Sequence, residues 1–149
     1  MKIAGLSSVF GALIFAGSAA TPAADLLKSC AGHGCGPGDN VVTFYSQGSP
    51  AVGCPTKQLS LYANYVISVS ALTGSTEAQQ QTGEDAKFLR QIRTDAHVAD
   101  LKAAMNKCWR LKDSQQARII EYAERGSVKL APKDGGEPYW TQSNHVDRE

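Results

Sequence analysis

The chain has 149 residues, with 15 Lys and Arg against 14 Asp and Glu. Its length suits one domain, and its balanced charge excludes the basic face with which nucleic-acid binders displace counterions. Arg90, Arg93, Lys102, Lys107, Arg110 and Lys112 are interleaved with Asp95, Asp100 and Asp113, the pattern of a solvated helix surface. No internal repeat or heptad run occurs.

The N-terminus reads as an address. Lys2 precedes an apolar run from Ile3 to Ala16, which falls short of the roughly 20 residues needed to span a bilayer. Ser18-Ala19-Ala20 then supplies the small side chains of a signal-peptidase site, so residues 1–20 are expected to be a cleaved signal peptide, with Ala24 as the later alternative. The run lacks the polar face of a buried helix. Cys30 follows Lys28-Ser29, unlike a lipid-modified cysteine, and a periplasmic or secreted protein without a transmembrane segment in its mature chain is expected.

An even set of cysteines, Cys30, Cys35, Cys54 and Cys108, in a small exported chain predicts two disulfides, for which three connectivities exist. Cys30 and Cys35 bracket Ala-Gly-His-Gly, flexible enough to close a local bridge, which leaves Cys54 for Cys108. A zinc site built on Cys30, His33 and Cys35 with Cys54 would need reduced thiols, against the oxidising compartment. The haem-attachment and Cys-x-x-Cys redox spacings are absent. No metal or cofactor is expected.

Residues 21–39 form a glycine-rich segment that ends in the breaker Gly36-Pro37-Gly38-Asp39. A single α+β domain is expected over 40–142. Asn40 to Tyr45 and Ala51 to Cys54 predict a first hairpin. Pro55 suits a first helical position, apolar residues from Leu59 to Leu72 recur at steps of three and four, and Gly74 stops the pattern. A helix over about 56–73 follows, with Tyr62, Val66 and Val69 in the core. Ser75 to Gly83 reads as a polar loop. Thr82 and Asp85 resemble a capping pair for a helix with the stripe Phe88, Leu89 and Ile92. Asp95 is expected to cap another, whose face carries Val98, Leu101, Met105 and Cys108.

Ala117 to Ala123 fits both strand alternation and helical spacing. Alternation would put Arg118, Ile120 and Tyr122 on one side, with Ala117, Ile119 and Ala123 on the other. Gly126 ahead of Ser127-Val128-Lys129-Leu130, and Gly135-Gly136 ahead of Tyr139-Trp140-Thr141, favour a β-meander. Ser143 to Glu149 reads as a polar, flexible tail.

Leu111-Lys112-Asp113-Ser114, Ala117 to Glu121, Val128-Lys129-Leu130 and Pro138-Tyr139-Trp140-Thr141 resemble the closing strands of a bacterial Src-homology-3-like barrel. The resemblance spans about 35 residues, read as a polar turn, a strand and its hairpin return, and a final glycine-aromatic strand. It implies a fold in which Asn40 to Cys54 supplies the first strands. The fold class is then a small antiparallel meander or partial barrel, disulfide-tied, with two to three helices inserted between Cys54 and Cys108.

No Ser/His/Asp or Cys/His constellation suggests an enzyme. His33, His97 and His145 fall in a loop, at a helix start and in the tail. The expected function is non-catalytic binding of a protein or cell-envelope partner, with Trp109, Tyr139 and Trp140 as the candidate surface because aromatic residues dominate interface energetics. A periplasmic inhibitor, such as an immunity or exclusion protein, and a structural envelope component are the alternatives.

Overall fold

The computed structural model describes residues 28–31, 34–44 and 49–149. The expected signal peptide, its cleavage sites, His33 and Tyr45 lie outside the described residues. The fold is α+β, with seven strands and four α-helices among the described residues. No described helix is long and apolar enough to cross a membrane.

Five strands make an antiparallel sheet: β1 (Asn40–Thr43), β4 (Gln116–Tyr122), β5 (Ser127–Pro132), β6 (Tyr139–Gln142) and β7 (Val146–Arg148), in the order β6-β5-β4-β1-β7. Two short strands, β2 (Val52–Gly53) and β3 (Trp109–Arg110), pair beside it. Cys54 and Trp140 exchange backbone hydrogen bonds of 2.9 and 2.8 Å, so the β2 segment continues along the edge of β6. The expected first hairpin is therefore corrected: β1 pairs with β4 and β7, while β2 pairs with β3. Strand propensity marked both segments, but it carries no information about which distant backbone will satisfy their hydrogen-bonding groups.

The meander β4-β5-β6 forms as expected from its turn residues. Its first strand hides a β-bulge, where register shifts between Ile119 and Glu121. The extra residue, Ile120, is turned outward and exposed. Past it the parity of the strand reverses, so Tyr122 packs against the same core as Ala117 and Ile119. Its hydroxyl donates to the Cys30 carbonyl at 3.0 Å. Simple alternation had placed Tyr122 on the opposite face.

The expected tail is also corrected. Ser143–His145 make one 3-10 turn and β7 then pairs with β1, while Arg148 donates from its backbone to the Lys28 carbonyl at 2.7 Å and Cys30 donates to Val146 at 2.9 Å. Ser143, His145 and Val146 are buried, and Val146 is the apolar one that packs this polar segment against the sheet core.

Helix α1 (Lys57–Thr73) matches its expected span. Thr56 is the N-cap and accepts from Leu59 N–H, which places Pro55 just outside the helix rather than at its first position. Gly74 ends the helix at φ 70°, the left-handed conformation that glycine adopts without a Cβ clash. Tyr62 and Val66 are buried, whereas Val69 is half-buried and Leu72 is exposed, because the last turns of α1 run past the core.

The segment read as a polar loop contains α2 (Glu77–Gln80), started by a capping box between Thr76 and Gln79. Glu77 accepts from the Tyr62 hydroxyl and, at 2.9 Å, from the Leu101 N–H. One carboxylate thus joins α1 to α4 (Leu101–Met105). The capping expectations shift accordingly. Asp85 precedes α3 (Ala86–Asp95) without a side-chain cap, Thr82 bonds back to Gln79, and α4 is capped by Asp100 through a 2.8 Å bond to Ala103 N–H rather than by Asp95.

Both disulfides are formed, Cys30–Cys35 and Cys54–Cys108. They belong to different hydrophobic cores. Cys30 and Cys35 lie with Val41, Leu111, Ile119, Leu130 and Tyr139 against the sheet. Cys54 and Cys108 lie with Leu59, Tyr62, Val66, Leu89 and Ile92 between the helices. The cores meet at β2, where Ala51 belongs to the first and Val52 to the second, as opposite-facing neighbours in extended backbone must. Asn64 of α1 seals the junction. Its amide accepts from Val52 N–H and donates to Val52 and Ser60 carbonyls, giving buried strand backbone a partner inside the helix layer.

Candidate binding groove

The site expected from sequence separates into core and surface. Tyr139 and Trp140 are buried, so neither forms a contact surface, and only Trp109 of the three is exposed. The correction follows from β6, whose two faces are both covered, Tyr139 by the sheet core and Trp140 beside the Cys54 backbone. Trp109 packs edge-on against Tyr139 with centroids 5.7 Å apart. Gly53 lies beneath this pair: a Cβ there would come within 2.8 Å of Leu111 and 3.0 Å of both Trp109 and Tyr139.

A different concavity lies where the helices meet the sheet. It has two lobes that share Leu61 of α1 and Arg125 of the β4–β5 turn. One lobe, about 410 Å³, runs between α1 and the end of α3 and is lined by Lys57, Asp95, His97 and Glu124. The other, about 520 Å³, has Tyr65 and Phe88 at its base and Ser68, Gln142 and Asn144 at its edge. Tyr65 and Phe88 meet edge to face with centroids 5.1 Å apart.

Arg125 divides the lobes, and its placement begins with the hairpin. Ser127 N–H closes the turn onto the Glu124 carbonyl, with Arg125 and Gly126 at φ 58° and 70°. Two successive residues at positive φ suit the twist of a β-hairpin, and asparagine or aspartate with glycine is the usual pair. Gly126 meets that demand, and a Cβ there would also lie 2.9 Å from Ser143 Oγ. Arg125 does not, and an L-residue without a small polar side chain costs about 1–2 kcal/mol in this conformation.

The arginine side chain is positioned by Phe88, with the guanidinium carbon 5.2 Å from the ring centroid. Among the described residues no carboxylate pairs with it and no hydrogen bond occupies its donors. Neighbouring Glu124 instead faces Lys57 at 3.7 Å, an exposed pair of little energetic weight. His97, at the rim of the first lobe, is also held at positive φ, 52°. Two of the three such non-glycine residues among the described ones therefore line one groove. Backbone strain of this kind collects at functional sites.

Burial, and then the Asp85 carboxylate beside it, raise the Tyr65 hydroxyl above its ordinary value, so it remains protonated. Among the described residues no group of three or more His, Cys, Asp or Glu side chains is arranged to hold a metal ion. His145, placed in the tail by sequence, is instead a buried histidine directly following Asn144 of the groove lining.

The groove was missed because its parts come from separate elements: α1, the α3 helix, the β4–β5 turn and the end of β6 with the turn after it. One local signal existed, Arg125 directly before Gly126 at a hairpin turn that prefers asparagine or aspartate. No family model matches the chain, and no curated protein or solved structure matches it significantly.

Proposed function

We propose that the protein is an exported, non-catalytic binding module that takes a segment of a protein or cell-envelope partner into the groove divided by Arg125. The observation that carries this reading is the arginine itself. It occupies a backbone position that disfavours it, lies over Phe88 between two cavities, and keeps its donors uncommitted among the described residues. A turn selected for stability alone would favour asparagine there.

Export is supported by the two disulfides, which persist in oxidising compartments. The Src-homology-3-like reading is supported by the β4-β5-β6 meander with β1 alongside β4 and the helices inserted between them in sequence. It is modified by β7, which extends the sheet beyond the aromatic strand expected to close the domain. The apolar lining residues Leu61, Tyr65, Phe88 and Ile92 belong to the helical core that the Cys54–Cys108 disulfide ties together, a cross-linked setting that lowers the ordering cost of binding.

A photo-crosslinking residue introduced at Gln58 or Ser68, one in each lobe, tests the reading in cells that make the protein. The expected result is a discrete adduct from both positions that is lost when Arg125 is replaced by Asn. The same probe at Leu72, exposed on the far turns of α1, serves as the reference. Equal labelling from Leu72 and the groove positions would overturn the proposal.

A further inference from the structure

We infer that the lobe floored by Tyr65 and Phe88 recognises an acidic residue within an extended peptide segment of a protein partner, its carboxylate meeting the Arg125 guanidinium. The inference rests on the binding-groove reading and specifies its ligand.

The two lobes differ in charge. The first is lined by the cations Lys57 and Arg125 and by the carboxylates Asp95 and Glu124. Along the second, Arg125 is the sole charged lining residue; the others are apolar, aromatic, amide or hydroxyl groups. Asp85 lies beside the Tyr65 hydroxyl but does not line this lobe. A ligand entering the second lobe therefore meets one charged lining residue, a cation, in a cavity of about 520 Å³.

The form of that charge narrows the ligand. A guanidinium presents a planar fork of N–H donors that matches a carboxylate bidentately, and stacking on an aromatic ring limits its freedom before binding. The contact with Phe88, the guanidinium carbon 5.2 Å from the ring centroid, places the fork against such a ring. The aromatic base and Leu61 suit an apolar side chain next to the acid. At the rim, Asn144 is exposed, and Gln142 donates through Nε2 to Ser127 Oγ at 3.0 Å, which leaves its amide oxygen to accept from a peptide N–H. An acid flanked by apolar residues in extended backbone uses each of these groups. A sugar or a neutral lipid tail would leave the arginine unpaired.

A random heptapeptide library displayed on phage and panned against the intact, disulfide-bonded protein tests the inference. The expected outcome is enrichment of Asp or Glu next to Leu, Phe or Tyr, with the enriched peptide binding at least tenfold more tightly than its Asn or Gln isostere in a polarisation assay. Arg125→Asn, which suits the turn, is expected to remove that difference while near-UV circular dichroism is retained, and Arg125→Lys to keep only part of it. Enrichment of a groove-binding sequence without an acid would overturn the carboxylate assignment and leave the binding groove standing. Equal affinity for acid and amide peptides would do the same. Failure to enrich any sequence would overturn the peptide inference, while the crosslinking experiment separately decides the groove reading.

Discussion

Arg125 lies over Phe88 at 5.2 Å, and this contact joins a hairpin turn of the sheet to helix α3 within the groove lining. It sets two energies against each other. Relief of the left-handed backbone is worth about 1–2 kcal/mol, and an exposed cation–ring contact about 0.5–1 kcal/mol. Arg125→Asn is therefore expected to leave stability unchanged or raise it by up to about 1.5 kcal/mol in urea titrations. A loss greater than about 1 kcal/mol would mean that the arginine is held for stability and not for binding.

The two disulfides close loops of very different length, with sequence separations of 5 and 54. On the chain-entropy model, removing Cys30–Cys35 as a double alanine variant should cost about 2 kcal/mol, and removing Cys54–Cys108 about 4 kcal/mol. Denaturant unfolding of the oxidised variants measures both. Equal costs would contradict the loop-length account, given that all four cysteines are buried.

Around Gly53 the packing leaves no room for a methyl group. Gly53→Ala should destabilise the protein by about 1–3 kcal/mol, the usual cost of overpacking a core. Trp140→Ala is expected to cost about 3–5 kcal/mol as a large buried truncation. Trp109→Ala should cost only about 1 kcal/mol, mainly its edge contact with Tyr139. Thermal melts of the three variants would expose a reversed order of the tryptophans, which would contradict the assignment of Trp140 to the interior.

Burial pushes the His145 imidazole below its ordinary value of 6.5, although the Phe44 backbone nearby pulls in the opposite direction. The unfolded chain therefore binds this proton more readily than the folded one. Stability should be fully present above pH 6.5 and fall as the pH drops below it toward the lower folded value. His145→Phe is expected to flatten that part of the stability profile, measured by urea unfolding at a series of pH values. Asp39 acts lower on the scale: the Gly36 N–H, then Arg148, hold its carboxyl below 3.8, so its contribution fades only as pH falls through that lower range. A profile unchanged by His145→Phe between pH 6.5 and 5 would count against a neutral buried imidazole.

Much of the helical half was readable because its signals are local. Gly74 stops α1 where a left-handed residue is required, and the three-and-four spacing of Leu59, Tyr62 and Val66 marks the buried face. The binding surface was not readable in this way. Tyr139 and Trp140 have the composition of an interface, yet whether an aromatic residue faces a partner or a core depends on what covers its strand. Here the 2.8 Å bond from Trp140 N–H to Cys54 is part of that cover.

By itself the sequence determined the span of α1, the meander turns at Gly126 and Gly135, and a cysteine spacing that placed the helices within one covalent loop. Only tertiary structure decided that β1 lies between β4 and β7, that Ile120 bulges and turns Tyr122 inward, and that Arg125 meets Phe88. The difference is one of range. Helix caps and turns satisfy their hydrogen bonds within a few residues, whereas Val41 finds Ala117 on one side and Arg148 on the other, and no local pattern encodes partners so far along the chain.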